Sequence, residues 1–434
     1  MLIFNKKYIK ESLKYLLRSS FFINKYVEEI DALYEMTPME LKMRNEKRFL
    51  EIFNKAFTSS AYYRNLCKSV GVTSIDDIKH IEDIVKLPIL TKDMLKKHGK
   101  ELLTCKEKGL IKNHTSGTTG TPLTVYQDWT SVWKEQAYFV CYRKRCGYNY
   151  GEPMVSLRGN LTRDEISMKI HVSNTLFLSS YNINSKTAET YHRLIEKHHP
   201  KAIEGYPSSL YSLALVLKDK GLECHIPVAF TSSETLFDYQ RKLIEKIFHT
   251  QVYDHYGTTE RTIRLEESFD HNGYFEDPGY GIEEYYDDHI ISTSLINDVF
   301  PLIRYKTDDR IVLKEGVNKS LQGFIDEVSG IERIVGRTDD ILVCKDRSMV
   351  TRVDFIEEGE HIKACQWIQN EKGKLEIRIA PDEGFTDKDR NFVVEETLKR
   401  CGHGNMDITT KVCSMDEMIY SKRGKFKLIV NNLQ

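Results

Sequence analysis

Thr115-Ser-Gly-Thr-Thr-Gly-Thr-Pro122 is built almost wholly from glycine and hydroxyl side chains. Gly117 and Gly120 permit the positive φ angles that turn successive backbone N–H groups toward one point, and Ser116 and the threonines add hydroxyl donors around it. Such a loop is a nest for phosphate. A Walker A loop would place Lys-Ser/Thr after its last glycine, whereas Thr121-Pro122 follows here, so the ordinary P-loop NTPase reading fails. A polar surface turn is the plain alternative, and the choice rests on what accompanies the loop along the chain.

The chain is long enough for more than one core: 434 residues with 40% hydrophobic and 11% aromatic content lead us to expect two or more domains. A formal charge of −1 gives no global pull toward nucleic acid or an anionic membrane, although Lys96-Lys97 could act locally. The nine cysteines form no C-x-x-C pair and no zinc spacing with histidine, which fits free thiols in a reducing cytoplasm. Residues 1–24 carry Leu13, Leu16, Leu17, Phe21 and Phe22, but lysines and Arg18 interrupt the run. We expect an amphipathic helix packed on the domain, not a signal peptide or membrane span, with a peripheral membrane contact as the alternative.

From about 6 to 110 the pattern is helical, with Leu41, Phe49, Ile52, Phe53 and Phe57 near helical period. From 150, β-rich runs alternate with helical ones: Met154–Leu157, Thr187–His199, Ala202-Ile203, Ser208–Lys220 and Val228–Phe230. That alternation predicts an α/β layered fold with partly parallel sheets. Segments beyond about 270 become strand-rich and predict a β-rich subdomain. After Gly336-Arg337 the pattern restarts, with strands near Ile341–Cys344 and Leu375–Ala380, a helix over Lys388–Arg400 and a last strand near Met406–Val412. The expected organisation is a helical lead-in (1–110), the rest of a large domain (111–336) and a small α+β C-terminal lid (337–434).

Six further segments accompany the loop: Leu87-Pro-Ile-Leu-Thr-Lys-Asp93, Thr231-Ser-Ser-Glu234, Asp254-His-Tyr-Gly-Thr-Thr-Glu260, Arg304-Tyr-Lys-Thr-Asp-Asp309, Gly336-Arg-Thr-Asp-Asp340 and Ser421-Lys-Arg-Gly-Lys425. In this order and spacing the chain resembles the adenylate-forming superfamily, and within it the branch of phenylacetate–coenzyme A ligases and the CapK-like proteins encoded with capsule and O-antigen polysaccharide genes. The resemblance covers about residue 80 to the end.

It implies an ATP- and magnesium-dependent ligase that joins a carboxylic acid to AMP, releases pyrophosphate and passes the acyl group to an acceptor, usually coenzyme A. Because two anions must meet, such a site needs phosphate donors, a divalent cation and a cation near the α-phosphorus. Carried over, Thr115, Ser116, Gly117, Thr118, Thr119 and Gly120 bind phosphate. Glu260 holds magnesium, Thr259 lies at the α-phosphate, and Tyr256, beside Gly257, stacks on adenine. Ser233 and Glu234 follow a strand and would face adenine and the acyl pocket; as bare sequence they read equally as a helix cap. Ser208-Ser209 after Pro207 resembles an acyl-pocket stretch and equally a helix start.

Asp309 and Arg337 would meet the ribose hydroxyls. Asp308 stands where relatives have glycine, which leaves the choice between the two aspartates open. Asp339 matches the hinge position. Lys425 would reach the α-phosphate and carboxylate, with Lys422 as the fallback. Cys365 and Cys401 lack a paired histidine and read as inert, and His255 reads as a core or loop residue. Expected partners are the acid and ATP or AMP; nucleic acid is not expected, and a homodimer is compatible with the sequence.

Other outcomes are transfer of the acyl group to an amine or hydroxyl, or of AMP to a phenol. Outside the ligase class stand a catalytically dead nucleotide sensor or scaffold, and an assembly partner working through residues 1–60.

Overall fold

The computed structural model describes residues 6–114, 123–158, 161, 165–286, 289–307, 309–316, 330–337, 342–346, 349–350, 361–420 and 426–433. Five helices open the chain: α1 (Lys6–Leu17), α2 (Ser20–Tyr34), α3 (Pro38–Ser59), α4 (Ala61–Ser69) and α5 (Lys92–His98). A hairpin of β1 (Ile111–His114) and β2 (Thr124–Gln127) and the helix α6 (Trp129–Arg145) follow. Next come β3 (Met154–Leu157), β4 (Ser167–Ile170), β5 (Thr175–Leu178), α7 (Ala188–His198), β6 (Ala202–Gly205), α8 (Pro207–Asp219), β7 (Val228–Ser232) and α9 (Asp238–Phe248). A strand-rich stretch holds β8 (Gln251–Gly257), β9 (Arg264–Glu267), β10 (Tyr274–Glu276), β11 (Gly281–Tyr285), β12 (Ile290–Ser294), β13 (Tyr305–Thr307), β14 (Asp309–Leu313) and β15 (Ile331–Arg337). The chain closes with β16 (Leu342–Val343), β17 (Met349–Val350), β18 (Ile362–Glu371), β19 (Lys374–Pro381), α10 (Asp387–Cys401), β20 (Asp407–Val412) and β21 (Ile429–Asn431). This is the layered α/β fold expected, with an α+β C-terminal domain.

Two compact units divide the chain: unit 1 takes residues 1–150 and 253–334, and unit 2 takes 151–252 and 335–434.

In unit 1, Thr37 caps α3 with a full capping box, its hydroxyl accepting from Glu40 N–H while its own N–H donates to the Glu40 carboxylate, and Pro38 sits at the first turn. That helix buries Phe49, Ile52, Phe53 and Phe57 in a core shared with Leu87, Leu90, Leu302, Ile303 and Tyr305. The expected helix over residues 1–24 is two helices. Ser19 adopts an extended backbone, φ −68° and ψ 164°, which ends α1 and opens α2. They pack on α6, where Phe22 stacks on Trp133 and Trp133 Nε1 donates to the Leu17 carbonyl. Strands of this unit run in the order β14-β15-β10-β9-β8, and β11-β12-β13 form a separate antiparallel sheet.

In unit 2, β7, β6, β3 and β5 are parallel neighbours and β4 joins β5 antiparallel. Side chains alternate across a strand, so Val155, Leu157, Leu176, Leu178, Ile203 and Ala229 share one face. They bury against Tyr191 and Ile195 of α7, Leu210 and Leu213 of α8, and Ile244 and Phe248 of α9.

The C-terminal sheet runs β20-β19-β18-β21, with α10 packed through Val393 onto Trp367 and Ile377. The sequence reading placed the last strand at Met406–Val412; β20 occupies Asp407–Val412, but the final strand is β21, parallel to β18. It also missed β18. The cause is Gln366 and Gln369, which break the apolar pattern yet are fully buried, each amide satisfied by backbone carbonyls such as Ile419 and Val343. Among the described residues no helix is long and apolar enough to cross a membrane.

Candidate active site

Three of the segments singled out in the sequence meet in unit 1. β8 delivers Tyr256, whose hydroxyl donates to Asp309 Oδ2 at 2.5 Å, joining residues 53 apart in the chain. Asp309 opens β14 and is 9% exposed. Beyond the end of β8, Glu260 accepts from the Tyr305 hydroxyl at 2.9 Å. Leu90 holds Tyr305 from the other side: its N–H donates to the Arg304 carbonyl and its carbonyl accepts from Lys306 N–H, both at 2.9 Å. The turn Leu87–Asp93 therefore registers the strand that positions Glu260's partner.

Arg304 fixes that strand. Its guanidinium grips Glu284 bidentately, with Nε and Nη2 each at 2.8 Å, and Nη1 donates to the carbonyls of Val85 and Leu87. It is 7% exposed and sits at φ +51°, a left-handed backbone that these contacts hold in place. Around the turn after β8, Thr259 is exposed, and the buried Thr258 hydroxyl oxygen makes no hydrogen bond to any described residue. His255 is buried edge-on between Phe139 and Tyr142, the core position expected of it.

Behind β9 lies a buried ionic cluster. Arg264 pairs with Asp277 and Glu266 while lying over the Phe139 ring, and Arg145 reaches Glu266 at 2.6 Å. Burial and the nearby Asp277 push the Glu266 carboxyl up to about 8 against the pull of the two arginines. Glu283 is pushed well above the carboxylate range by burial, with Glu276 and Asp277 adding to it.

Unit 2 carries a second set of polar groups at the carboxyl ends of its parallel strands, where ligands of such sheets bind. Ser233, just past β7, is exposed and has φ +70°. Glu234 Oε2 accepts from Ser208 N–H in the first turn of α8 at 3.1 Å, while the helix that follows, α9, has Phe237 as its N-cap, so Ser233 and Glu234 do not cap it. Ser208 Oγ in turn accepts from Phe426 N–H at 3.3 Å, and Phe426 bridges to Tyr420. Burial and the charges of Asp416 and Glu234 raise the Tyr420 hydroxyl to about 12. Phe426 thus lies beside the first turn of α8, paired with Tyr420. Arg158, one residue past β3, donates to Ser232 Oγ at 2.9 Å, and Glu204 accepts from Ser156 Oγ at 2.8 Å.

Several expected site residues lie outside the described residues: Thr115, Ser116, Gly117, Thr118, Thr119 and Gly120, Asp308, Asp339, Lys422 and Lys425. Arg337 and Gly336 are described only as backbone of β15, and the phosphate-loop candidate is the connection between β1 and β2, which pair up to His114 and Thr124. Cys365 and Cys401 are buried free thiols; burial raises both, Cys401 to about 12 and Cys365 beyond it, which fits the inert reading. Arg304 and Tyr305 lie in a marked segment but were assigned no role, and Arg158 and Glu204 were not singled out. The available signal was an arginine set between Ile303 and Tyr305 in an apolar run, a position that needs a buried acid.

The fold is that of the adenylate-forming ligases. A 2-hydroxyisobutyryl-CoA ligase in its postadenylation state, bound to 2-HIB-AMP, superposes with a TM-score of 0.69 at 14% identity, covering 91% of this chain and 90% of that one. An anthranilate CoA ligase bound to anthranoyl-AMP gives 0.51 at 13% identity over 75% and 66% of the two chains. More particularly, residues 342–432 match the CapK C-terminal domain family model. Protein CapK of Staphylococcus aureus is 25% identical over 391 residues, 86% of this chain and 84% of its own length. Phenylacetate-coenzyme A ligase of Pseudomonas putida is 23% identical over 359 residues, 74% and 77% of the two chains. The motif resemblance to this superfamily and its CapK-like branch is borne out.

Proposed function

We propose that the chain activates a carboxylic acid with ATP, forming an acyl adenylate and releasing pyrophosphate, and then passes the acyl group to coenzyme A. The observation that carries this reading is the Tyr256–Asp309 hydrogen bond together with the Glu260–Tyr305 contact. These pairs bring an aromatic ring, a ribose-type acceptor and a hard carboxylate into one cluster from separate segments. The names of the similar proteins, acid-CoA ligases and CapK, support the same class.

In this account Tyr256 stacks on adenine, Asp309 accepts from the ribose hydroxyls, Arg337 donates to them, and Thr259 donates to the α-phosphate. Residues 115–120 hold the outgoing phosphates. The Glu260 carboxylate, oriented by Tyr305, suits a hard divalent cation, and bound magnesium would neutralise phosphate charge. Lys425 brings a flexible positive charge to the reacting carboxylate and α-phosphate, which would otherwise repel. Asp339 serves as the pivot between half-reactions. The setting is capsule or O-antigen polysaccharide assembly, as the CapK-like resemblance implies.

The test supplies ATP, magnesium and an acid panel with either coenzyme A or hydroxylamine as acceptor, and identifies products by mass spectrometry. Acyl-CoA with one class of acid supports the whole reading. Acyl hydroxamate without acyl-CoA keeps adenylation and rejects the coenzyme A acceptor; neither product with any acid rejects the reading.

A further inference from the structure

We infer that the carboxyl ends of β3, β6 and β7 form a hydroxyl-recognition subsite, so that the acid activated carries a hydroxyl on its acyl chain. This rests on the adenylation reading above. A strand of a parallel sheet is normally apolar on both faces. Here one face of the sheet in unit 2 is apolar and covered by α7, α8 and α9, whereas the register pairs Ser156 with Glu204 on the other face. Arg158 and Ser232, two residues on from Ser156 and Phe230, fall on that same polar face.

The Arg158 guanidinium is not fully engaged by its neighbours. A well-made arginine–carboxylate pair sits near 2.7–2.9 Å. Arg158 Nε stands 3.6 Å from Glu204 Oε2, too far to bond, and this buried Nε makes no hydrogen bond to any described residue. A guanidinium only donates and a carboxylate only accepts, so a hydroxyl placed between them serves both, accepting from Arg158 and donating to Glu204. A bare hydrocarbon there would leave the donor unmet at a cost. Next to it, the Ser233 backbone holds a left-handed φ of +70° that an L-residue adopts only at an energetic cost, the kind of strain retained at binding sites.

The experiment measures ATP–pyrophosphate exchange with acids matched in carbon skeleton, with and without a hydroxyl, for the full chain and for Arg158→Met and Arg158→Lys, with folding checked by circular dichroism. The wild-type chain is expected to prefer the hydroxy acid in kcat/KM by about tenfold or more, and Arg158→Met to bring that ratio close to one through the hydroxy-acid KM. Arg158→Lys, which keeps the charge but not the fork, gives an intermediate ratio and serves as the readout if the methionine variant does not fold. Exchange with no hydroxyl preference, or a preference untouched by both variants, overturns this inference and leaves adenylation standing. No exchange with any acid overturns the adenylation reading itself, and this inference with it.

Discussion

The Tyr256 hydroxyl donates to Asp309 at 2.5 Å, linking the end of β8 to the start of β14. The Asp309 carboxylate is therefore oriented by a phenol whose ring packs against the cluster of Ile263, Leu265 and Tyr285. If Asp309 meets the ribose, Asp309→Ala should raise the KM for ATP by roughly tenfold or more, the scale of losing a charged hydrogen-bond acceptor. Tyr256→Phe keeps the ring and should raise it only about threefold. Equal KM values in Asp309→Ala and wild type would remove Asp309 from the nucleotide site.

Arg304 and Glu284 make the second prediction. Breaking a buried, bidentate pair leaves an uncompensated charge, so Arg304→Met should cost about 3–5 kcal/mol in unfolding free energy. Because Arg304 also holds the carbonyls of Val85 and Leu87, the loss should loosen Tyr305 and with it Glu260. Adding Glu284→Gln should recover part of the stability, since the stranded charge is gone. Denaturant unfolding of the single and double variants decides it; a single variant as stable as wild type contradicts the account.

Stability should fall as pH rises across mildly acidic to mildly alkaline conditions. Glu266 binds its proton up to about pH 8 in the folded chain against an ordinary value near 4.5, and Glu283 is shifted the same way. Between those values the folded state holds protons that the unfolded state has released, so the slope of unfolding free energy with pH is negative, at most about 1.4 kcal/mol per pH unit for each group. Tm should drop between about pH 5 and about pH 8, and Glu283→Gln should flatten the curve. A Tm that rises over this window would show that the two carboxyls are ionised in the fold.

Gly205 is where β6 meets α8. A Cβ there would stand 2.9 Å from the Leu210 side chain and 3.2 Å from the Leu157 carbonyl oxygen. Gly205→Ala should destabilise by about 1–3 kcal/mol and displace the first turn of α8, which carries Ser208. Calorimetry on the variant checks the first part, and a raised KM for the acid checks the second.

Much of this architecture was legible because local and global signals agree. Pro207 opens α8 as a helix-start proline should, the run Val228–Phe230 is a buried parallel strand, and Tyr256, Glu260 and Asp309 sit in segments whose spacing marked them. Arg304 and Tyr305 were hidden for the opposite reason: their roles exist only once Leu90 and Glu284 are folded against them. Arg158 and Glu204 carry no motif of their own, and only strand parity puts them on one face with Ser156 and Ser232. Gln366 and Gln369 concealed β18, because a buried amide that is fully hydrogen-bonded looks in sequence like a solvated one.

The most direct measurement is exchange of radiolabelled pyrophosphate into ATP with magnesium, across aryl, fatty, amino and hydroxy acids, with Glu260→Ala and Lys425→Ala as controls. Adenylation predicts exchange that requires one class of acid and falls by at least about a hundredfold in both variants, the scale of removing groups that stabilise developing charge. Exchange that is absent with every acid, in a chain that still binds ATP, would contradict the account and leave a nucleotide-binding protein without adenylating activity.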